Sequence, residues 1–202
     1  MEIIDDVAIK FSVPKHIVPH ISDNIEKSEV VEWRGDIADM VVYWGLDEMT
    51  RLNQLVAFKN PLPSPISRDY KWPGMYIPFA HQKTTAEFLS IHRRAFCFNE
   101  AGTGKTSSVI WAADYLMTHS DIKRVLVICP LSIMYSAWQA DVFKTAMHRT
   151  VGVAHGPAAK REKIINGEYE FVIINFDGVG VVREAIEAAN FDLVVIDEAN
   201  AY

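Results

Sequence analysis

Apolar residues in the second half of the chain occur in short runs, and segments with helical spacing separate these runs. Val125–Cys129 is a continuous apolar run, which is typical of a strand covered on both faces. The pattern predicts three further strands, at Thr150–Ala154, Phe171–Ile174 and Leu193–Ile196. Helical spacing is found near Ala158–Ile165 and Val179–Ala188. Because strands and helices alternate, we predict an α/β fold with a mostly parallel, doubly wound sheet.

The first part of the chain has a different pattern. Glu2–Val13 and Val30–Trp33 read as strands, and Asp36–Phe58 has the spacing of an amphipathic helix. We therefore predict a small α+β accessory module over residues 1–59. Five prolines lie between Asn60 and Pro78, and proline removes backbone donors and restricts its predecessor. This composition predicts a linker over residues 60–76, so that the α/β domain occupies residues 77–202.

Composition narrows the class of protein. The chain has 202 residues, half of them hydrophobic, and a net charge of −6, so no overall positive field indicates a nucleic-acid partner. Cys97 and Cys129 both lie in apolar runs, which predicts two core thiols in a reducing compartment rather than a disulfide. No apolar run has membrane-spanning length and the N-terminus has no signal-peptide character. We expect a soluble protein of the cytoplasm.

The segment AFCFNEAGTGKT, residues 95–106, has the order strand, phosphate-binding loop, helix. Its strand is predicted at Ala95–Phe98. Gly102 and Gly104 allow the backbone to turn and to approach phosphate oxygens without an obstructing side chain. The segment departs from the G-x-x-x-x-G-K-[ST] pattern at one position, because Asn99 stands where the first glycine is usual. The alternative interpretation is a Gly-Lys-Thr turn without special function.

The loop has the backbone and side-chain groups that bind the phosphates of a nucleotide. Thr103 contributes, with the two glycines, the backbone N–H groups of the loop, and the following helix N-terminus adds a partial positive charge. Lys105 supplies a full charge for the β- and γ-phosphates, and Thr106 supplies a hydroxyl for Mg²⁺. The apolar context on both sides favours ATP binding over the alternative.

A second candidate element is Asp197-Glu198, which follows the apolar strand FDLVVI. Asp197 can hold Mg²⁺, directly or through water, and Glu198 can orient and deprotonate an attacking water. Two solvated acids at a turn are the alternative, but their combination with the Gly-Lys-Thr loop favours catalysis. Lys105, Asp197 and Glu198 are therefore the predicted catalytic residues.

Three segments together resemble a known family. EAGTGKT, CPLSIMYSAW and the DEAD/DEAH-like box IDEAN are similar to the first RecA-like lobe of superfamily-two helicases. More narrowly, they resemble the Swi/Snf-type DNA translocases, including the annealing-helicase branch and phage relatives. The resemblance runs from Pro78 to the end of the chain. It implies an ATP hydrolase that uses Mg²⁺ and contacts the backbone of double-stranded DNA.

The resemblance also implies roles for individual residues. Gln82, in PFAHQ, matches the family glutamine that reads adenine. The segment Cys129–Ser132, together with Trp138, resembles the motif that contacts the DNA backbone, and His155–Arg161 and Ile174–Gly178 look like the two following family segments. The implied nucleic-acid contacts are Pro130, Leu131, Ser132, His155 and Asn175.

Two departures from the family pattern affect these expectations. Asn200 stands at the fourth box position, where histidine or aspartate is usual in the family. Because the family residue couples the ATP state to the second lobe, this departure affects that coupling rather than the binding of ATP. The chain ends at Tyr202, so the second helicase lobe and its arginine fingers are absent from it. In the family sheet, the strand after the box lies between the phosphate-loop strand and the Asp-Glu strand. We therefore expect a missing central strand with exposed edges, in a truncated or naturally shortened protein.

Two classes of function follow from these features. In the first, the chain is the N-terminal part of a DNA translocase and has weak or no ATPase activity alone, because catalysis needs an arginine supplied in trans. In the second, it is a non-catalytic interaction module that binds an unknown protein through residues 1–59. Another P-loop enzyme, such as a kinase, is disfavoured by Gln82 and the CPLS…W segment. A bacterial or phage translocase would be associated with the nucleoid.

Overall fold

The structure is a computed structural model that describes residues 1–198, and its contacts divide the chain into two units. Unit 1 contains residues 1–70 and 84–97. Unit 2 contains residues 71–83 and the chain from residue 98 onward. The predicted domain boundaries at residues 59 and 76 remain a prediction. A membrane span would need a longer and more apolar helix than any described in residues 1–198.

Unit 1 is built on a four-stranded antiparallel sheet in the order β1-β2-β4-β3. Its strands are β1 (Glu2–Ile4), β2 (Ala8–Pro14), β3 (Ser28–Arg34) and β4 (Ile37–Tyr43). Its helices are α1 (Val18–Ser22), α2 (Leu46–Leu55) and α3 (Ile66–Asp69), with a 3₁₀ turn at Lys15–Ile17. Alternate residues of β2 and β4 enter one apolar core with residues of α1 and α2, including Phe11, Met40, Ile21 and Met49. The period-two pattern explains why one face is buried.

The structure corrects two predictions in this unit. The predicted strand Glu2–Val13 is two strands, because Asp5 and Asp6 adopt positive φ and turn the chain between β1 and β2. The predicted helix Asp36–Phe58 is wrong over its first part, where β4 lies, and right only for α2. Residues of β4 pair with β2 on one side and β3 on the other, so sheet pairing prevails over the local helical spacing.

Unit 2 contains the parallel sheet that the sequence predicts. Its strands are β5 (Val125–Cys129), β6 (Val151–Ala154), β7 (Phe171–Asn175) and β8 (Leu193–Ile196). They lie in the order β6-β7-β5-β8, and every pair is parallel. The α/β prediction is confirmed.

Helices and turns alternate with the strands of unit 2. Helix α4 (Ala80–Ile91) begins in unit 2 and continues into unit 1. The other α-helices are α5 (Lys105–His119), α6 (Ala140–Thr145), α7 (Ala158–Ile165), α8 (Phe176–Val181) and α9 (Arg183–Ala188). A 3₁₀ turn at Leu131–Ile133 and a π-helix at Met134–Gln139 connect β5 to α6. The nucleic-acid segment predicted after β5 therefore has irregular helical geometry.

Apolar clusters cover both faces of the central strands. Val125, Val127 and Cys129 of β5 pack in one cluster with Ile110 of α5 and with the π-helix, whereas Leu126 packs in a second cluster on the opposite face. This arrangement explains the continuous apolar runs of β5 and β7, because both faces of a strand covered by helices must be apolar. Within residues 1–198, β8 pairs only with β5, and its Val194 and Ile196 are 50% and 53% exposed.

The predicted strand at Ala95–Phe98 is wrong, because these residues do not join either sheet. Phe96 and Phe98 are 78% and 88% exposed. In the expected sheet order, a further strand separates this segment from β8, and residues 1–198 do not provide one. A segment becomes a strand only where a neighbouring strand completes its ladder of hydrogen bonds.

A buried ionic cluster fixes helix α5 in unit 2. Asp114 lies in the middle of α5 and is almost fully buried. Its Oδ1 accepts hydrogen bonds from Arg149 Nε at 2.5 Å and from His148 Nε2 at 2.8 Å. Arg149 also donates to Glu170 Oε1 at 2.7 Å, just before β7. The helix that follows the phosphate loop is thus tied to the sheet through charged groups.

We predict that Asp114→Ala strongly destabilises the protein. Removing one partner of a buried ion pair costs about 3 kcal/mol in the free energy of unfolding, and Arg149 would keep only its partly exposed carboxylate partner Glu170. Urea denaturation followed by circular dichroism measures the loss. Arg183→Ala, which breaks an exposed pair with Glu187, is the control and leaves the urea midpoint unchanged. Equal midpoints for the two variants would contradict a role for burial.

Candidate functional site

The phosphate loop takes its shape from two glycines with positive φ. Gly102 and Gly104 have φ values of +78° and +74°, where other residues are strained. A Cβ at Gly104 would lie 2.1 Å from Gln82 Nε2, so any side chain at this position would clash with Gln82. A Cβ at Gly102 would meet nothing within 4 Å, so only the positive φ favours glycine at this position. Helix α5 begins directly after the loop, at Lys105.

The Lys105 side chain folds over the loop. Its Nζ donates to the carbonyl oxygens of Asn99 and Glu100, both at 2.9 Å. Thr103 Oγ1 donates to the Glu100 carbonyl at 2.8 Å. No carboxylate among residues 1–198 forms an ion pair with Lys105. A charged amine held only by carbonyl oxygens next to a helix N-terminus fits a polyphosphate, which would supply the missing negative charge.

Gln82 lies against the loop rather than in solvent. Its Oε1 accepts the Phe79 N–H at 2.9 Å, and its Nε2 lies 3.4 Å from the Gly104 carbonyl oxygen. The neighbouring His81 ring contacts the Thr103 carbonyl oxygen at 3.0 Å and stacks on the Phe79 ring. Three predicted nucleotide-binding positions, Gln82, Thr103 and Gly104, are therefore adjacent.

Asp197 and Glu198 extend the edge strand of the sheet. The Asp197 N–H donates to the Ile128 carbonyl oxygen at 2.9 Å, which continues the pairing of β8 with β5. Asp197 Oδ2 accepts the indole N–H of Trp138 at 2.9 Å, and Oδ1 accepts the Glu198 N–H at 3.0 Å. Glu198 is exposed and has a φ of +55°. One carboxylate is thus held in a fixed orientation, and the other faces solvent.

Few carboxylates are available for a metal ion. Residues 1–198 contain no cluster of three or more His, Cys, Asp or Glu side chains that could hold one. A threonine hydroxyl and one carboxylate are oxygen donors that fit Mg²⁺, which is commonly held by one or two protein ligands together with substrate phosphates. Thr106, at the start of α5, and Asp197 remain the predicted ligands.

The thiol of Cys129 lies beside these carboxylates. Burial, together with a smaller effect of the negative charges of Asp197 and Glu198, raises the pKa of Cys129 to about 12. The other cysteine, Cys97, is only partly buried. Cys129 is thus an inert core thiol, as the sequence predicts, whereas Cys97 lies outside any strand.

The predicted nucleic-acid residues lie at one edge of the sheet. Pro130, Leu131 and Ser132 follow β5, His155 follows β6, and Asn175 ends β7. Because parallel strands end at the same edge, the structure brings these positions together with Asp197. Leu131, Ser132 and His155 are exposed or partly exposed.

Asn175 differs from the other predicted contacts because its side chain is buried. Its Oδ1 accepts a hydrogen bond from Arg161 Nη1 at 2.8 Å. Arg161 also donates to the carbonyl oxygens of Ala154 and Gly156, at 2.8 and 2.7 Å. A buried guanidinium therefore joins the ends of β6 and β7. Contact of Asn175 with nucleic acid remains a prediction.

Sequence reasoning missed the partners of three residues at this edge. Tyr135, on the exposed side of the π-helix, places its hydroxyl 3.3 Å from His155 Nδ1. The others are the bonds of Arg161 and the bond from Trp138 to Asp197. Arg161 and Trp138 belong to segments that resemble those of the family. Nothing in the sequence indicates their partners, which are distant along the chain.

The family model for the SNF2-related domain matches residues 81–201, which is more than half of the chain. The chain belongs to the SNF2-related domain family. Proteins of this family are generally ATPases of the helicase type. The resemblance to the first RecA-like lobe of a Swi/Snf-type helicase, predicted from the motifs, is confirmed.

A solved structure supports the fold of this SNF2-related domain. The chain is similar to the Sulfolobus solfataricus SWI2/SNF2 ATPase core in complex with dsDNA, with a TM-score of 0.57 at 21% sequence identity. The match covers 64% of this chain and 28% of that chain. The chain therefore spans under a third of the structure that it resembles. A comparison with curated protein sequences finds no match.

The roles predicted for individual residues of the SNF2-related domain remain predictions, although the geometry groups them consistently. Lys105, Gln82 and the loop form one group. Asp197 and Glu198 form a second group, at the edge shared with the nucleic-acid residues. Asn200, for which a coupling role is predicted, lies outside the described residues.

We predict that only one of the two cysteines reacts in the native protein. The thiolate is the reactive form, and the raised pKa of Cys129 keeps its thiolate fraction negligible at mildly alkaline pH. Ellman's reagent should therefore modify Cys97 alone under native conditions and both cysteines in urea. Cys97→Ser removes the native reaction and Cys129→Ser preserves it. Rapid native modification of both thiols would contradict the burial of Cys129.

Proposed function

We propose that the chain is the N-terminal part of an ATP-dependent DNA translocase of the Swi/Snf type. The observation that carries this proposal is Lys105, whose Nζ, within residues 1–198, is held over the glycine loop by carbonyl oxygens and by no carboxylate, at the first turn of α5. Such an arrangement is suited to the β- and γ-phosphates of ATP. Family membership makes ATP the best candidate among nucleotides.

Each residue of the proposed site would have a separate role. The loop N–H groups and Lys105 hold the phosphates, and Gln82 reads the adenine. Thr106 and Asp197 hold Mg²⁺, which when bound neutralises charge on the phosphate oxygens. Glu198, exposed beside Asp197, orients the attacking water and accepts its proton.

Double-stranded DNA is the proposed polymer partner. The exposed positions after β5 and β6 form one edge, on a protein whose net charge of −6 gives no general attraction to phosphate. Binding must therefore depend on local contacts to the backbone, made by Leu131, Ser132 and His155. The structural relative named above is a complex with dsDNA, which supports this choice. Such a protein would act in the cytoplasm, at the nucleoid in a bacterial or phage host.

We propose ATP hydrolysis as the activity of the whole protein. Hydrolysis in this family also requires positive charge on the transferring phosphoryl group, supplied by an arginine in trans. The match covers 28% of the SWI2/SNF2 ATPase core chain, so we propose hydrolysis as an activity of the whole protein and not of these residues alone.

We predict that Mg-ATP stabilises the chain and that Lys105→Ala abolishes the effect. A ligand at 100 times its Kd adds about 2.7 kcal/mol to the free energy of unfolding, which raises the Tm of a protein of this size by roughly 5–10 °C. Thermal shift assays with and without Mg-ATP measure the change. Lys123→Ala removes the same charge from an exposed lysine outside the loop, and its Tm should still rise. If the wild-type chain shows no shift, the non-catalytic interaction module becomes the better explanation.

We predict that Ser132→Glu combined with His155→Glu weakens binding to duplex DNA. A like-charge pair about 4 Å apart costs roughly 1–4 kcal/mol at the surface of a protein, so the Kd should rise about tenfold or more at low salt. Fluorescence anisotropy with a labelled duplex measures the Kd. Ser120→Glu, at the opposite end of α5 from the phosphate loop, is the control and should bind as the wild type does. Equal losses in all variants would indicate a nonspecific charge effect.

A further inference from the structure

We propose that Trp138 is a positioning residue that links the nucleic-acid segment after β5 to the Mg²⁺-binding carboxylate of Asp197. This inference rests on the proposed function and adds a route by which bound DNA affects the Mg-ATP site. The central observation is the hydrogen bond of 2.9 Å from Trp138 Nε1 to Asp197 Oδ2, between residues 59 positions apart.

The indole is a donor with a fixed position. Trp138 is 1% exposed and packs among Ile110, Met134 and Val142 in the core of unit 2. An indole N–H can only donate, so it satisfies one lone pair of the carboxylate and cannot act as an acceptor instead. The other oxygen of Asp197 accepts the N–H of Glu198. Both oxygens are thereby oriented, and the remaining lone pairs are available to a cation or its water.

The same helical segment reaches the predicted nucleic-acid edge. Trp138 lies in the π-helix Met134–Gln139, three residues after Tyr135. Tyr135 is exposed and contacts His155, whereas Trp138 points into the core. π-Helical turns are rare and are frequently found at functional sites. Because Tyr135 and Trp138 share one helical turn, a contact of the DNA backbone with Tyr135 acts on the same turn that holds the donor of Asp197.

The chain contains a matched control for this donor. Trp111 is also fully buried in unit 2, and its Nε1 donates to the Pro73 carbonyl oxygen at 3.0 Å. Trp138→Phe and Trp111→Phe therefore each remove one buried indole donor and leave a similar cavity. Only Trp138→Phe removes a donor from a predicted metal ligand.

The first experiment measures the Mg²⁺ concentration that gives half-maximal binding of a fluorescent, non-hydrolysable ATP analogue. Removing a hydrogen-bond partner of a metal ligand typically lowers metal affinity 10- to 100-fold, so Trp138→Phe should raise this concentration about tenfold. Trp111→Phe should leave it unchanged. Equal values for wild type and Trp138→Phe, or equal increases in both variants, would overturn the inference. Absence of analogue binding by the wild-type chain would instead overturn the proposed function.

The second experiment follows the wild-type protein and does not depend on the stability of a variant. The five tryptophan indole N–H groups are observed by ¹⁵N–¹H NMR and assigned sequentially. Mg²⁺ with the ATP analogue should shift the Trp138 signal and leave the Trp111 signal in place. Addition of a short DNA duplex without nucleotide should also shift the Trp138 signal. A Trp138 signal that responds to nucleotide but not to DNA would overturn the link between the two sites.

Discussion

Parallel pairing on both sides of β5 is the constraint on which unit 2 depends. β5 is hydrogen-bonded to β7 on one side and β8 on the other, and apolar clusters cover its two faces. Since all four strands run in the same direction, every segment that leaves a strand at its carboxyl end emerges at one edge. The Asp197 N–H continues the β8 ladder by one bond. The register of the sheet therefore determines where the carboxylates stand relative to the predicted DNA contacts.

Buried polar side chains add the precision that the sheet alone does not provide. Asp114 ties α5 to the segment before β6, Arg161 ties the end of β6 to the end of β7, and Trp138 ties the π-helix to the end of β8. No buried side-chain nitrogen or oxygen among residues 1–198 lacks a hydrogen-bond partner. Such fully satisfied groups are costly to rearrange, because an unmatched buried donor or acceptor loses its hydration without compensation. The result is a rigid edge on which exposed residues can be placed accurately.

Local patterns in the sequence predict the part of the structure that depends on local physics. The apolar runs of β5 and β7 reflect burial on both faces, and the glycines of the loop reflect a backbone that needs positive φ. Local patterns fail where a distant segment decides the outcome. β4 has residues with helical spacing and is a strand because β2 and β3 flank it, and residues 95–98 are apolar yet join neither sheet. The bond from Trp138 to Asp197 has no local signal at all, since it depends on how β5 and β8 pair.

Within residues 1–198, β8 has no neighbouring strand on the side away from β5, and this gives Asp192 and Asp197 a second role. Leu193–Ile196 is a short apolar strand with β5 as its neighbour on one side, and its Val194 and Ile196 are largely exposed. Exposed apolar edge strands are templates for aggregation, and flanking charges act as gatekeepers against it. The two aspartates bracket this strand in the sequence. Neutralising Asp197 to disable the site would therefore also remove a gatekeeper, so loss of solubility would accompany loss of chemistry in such a variant.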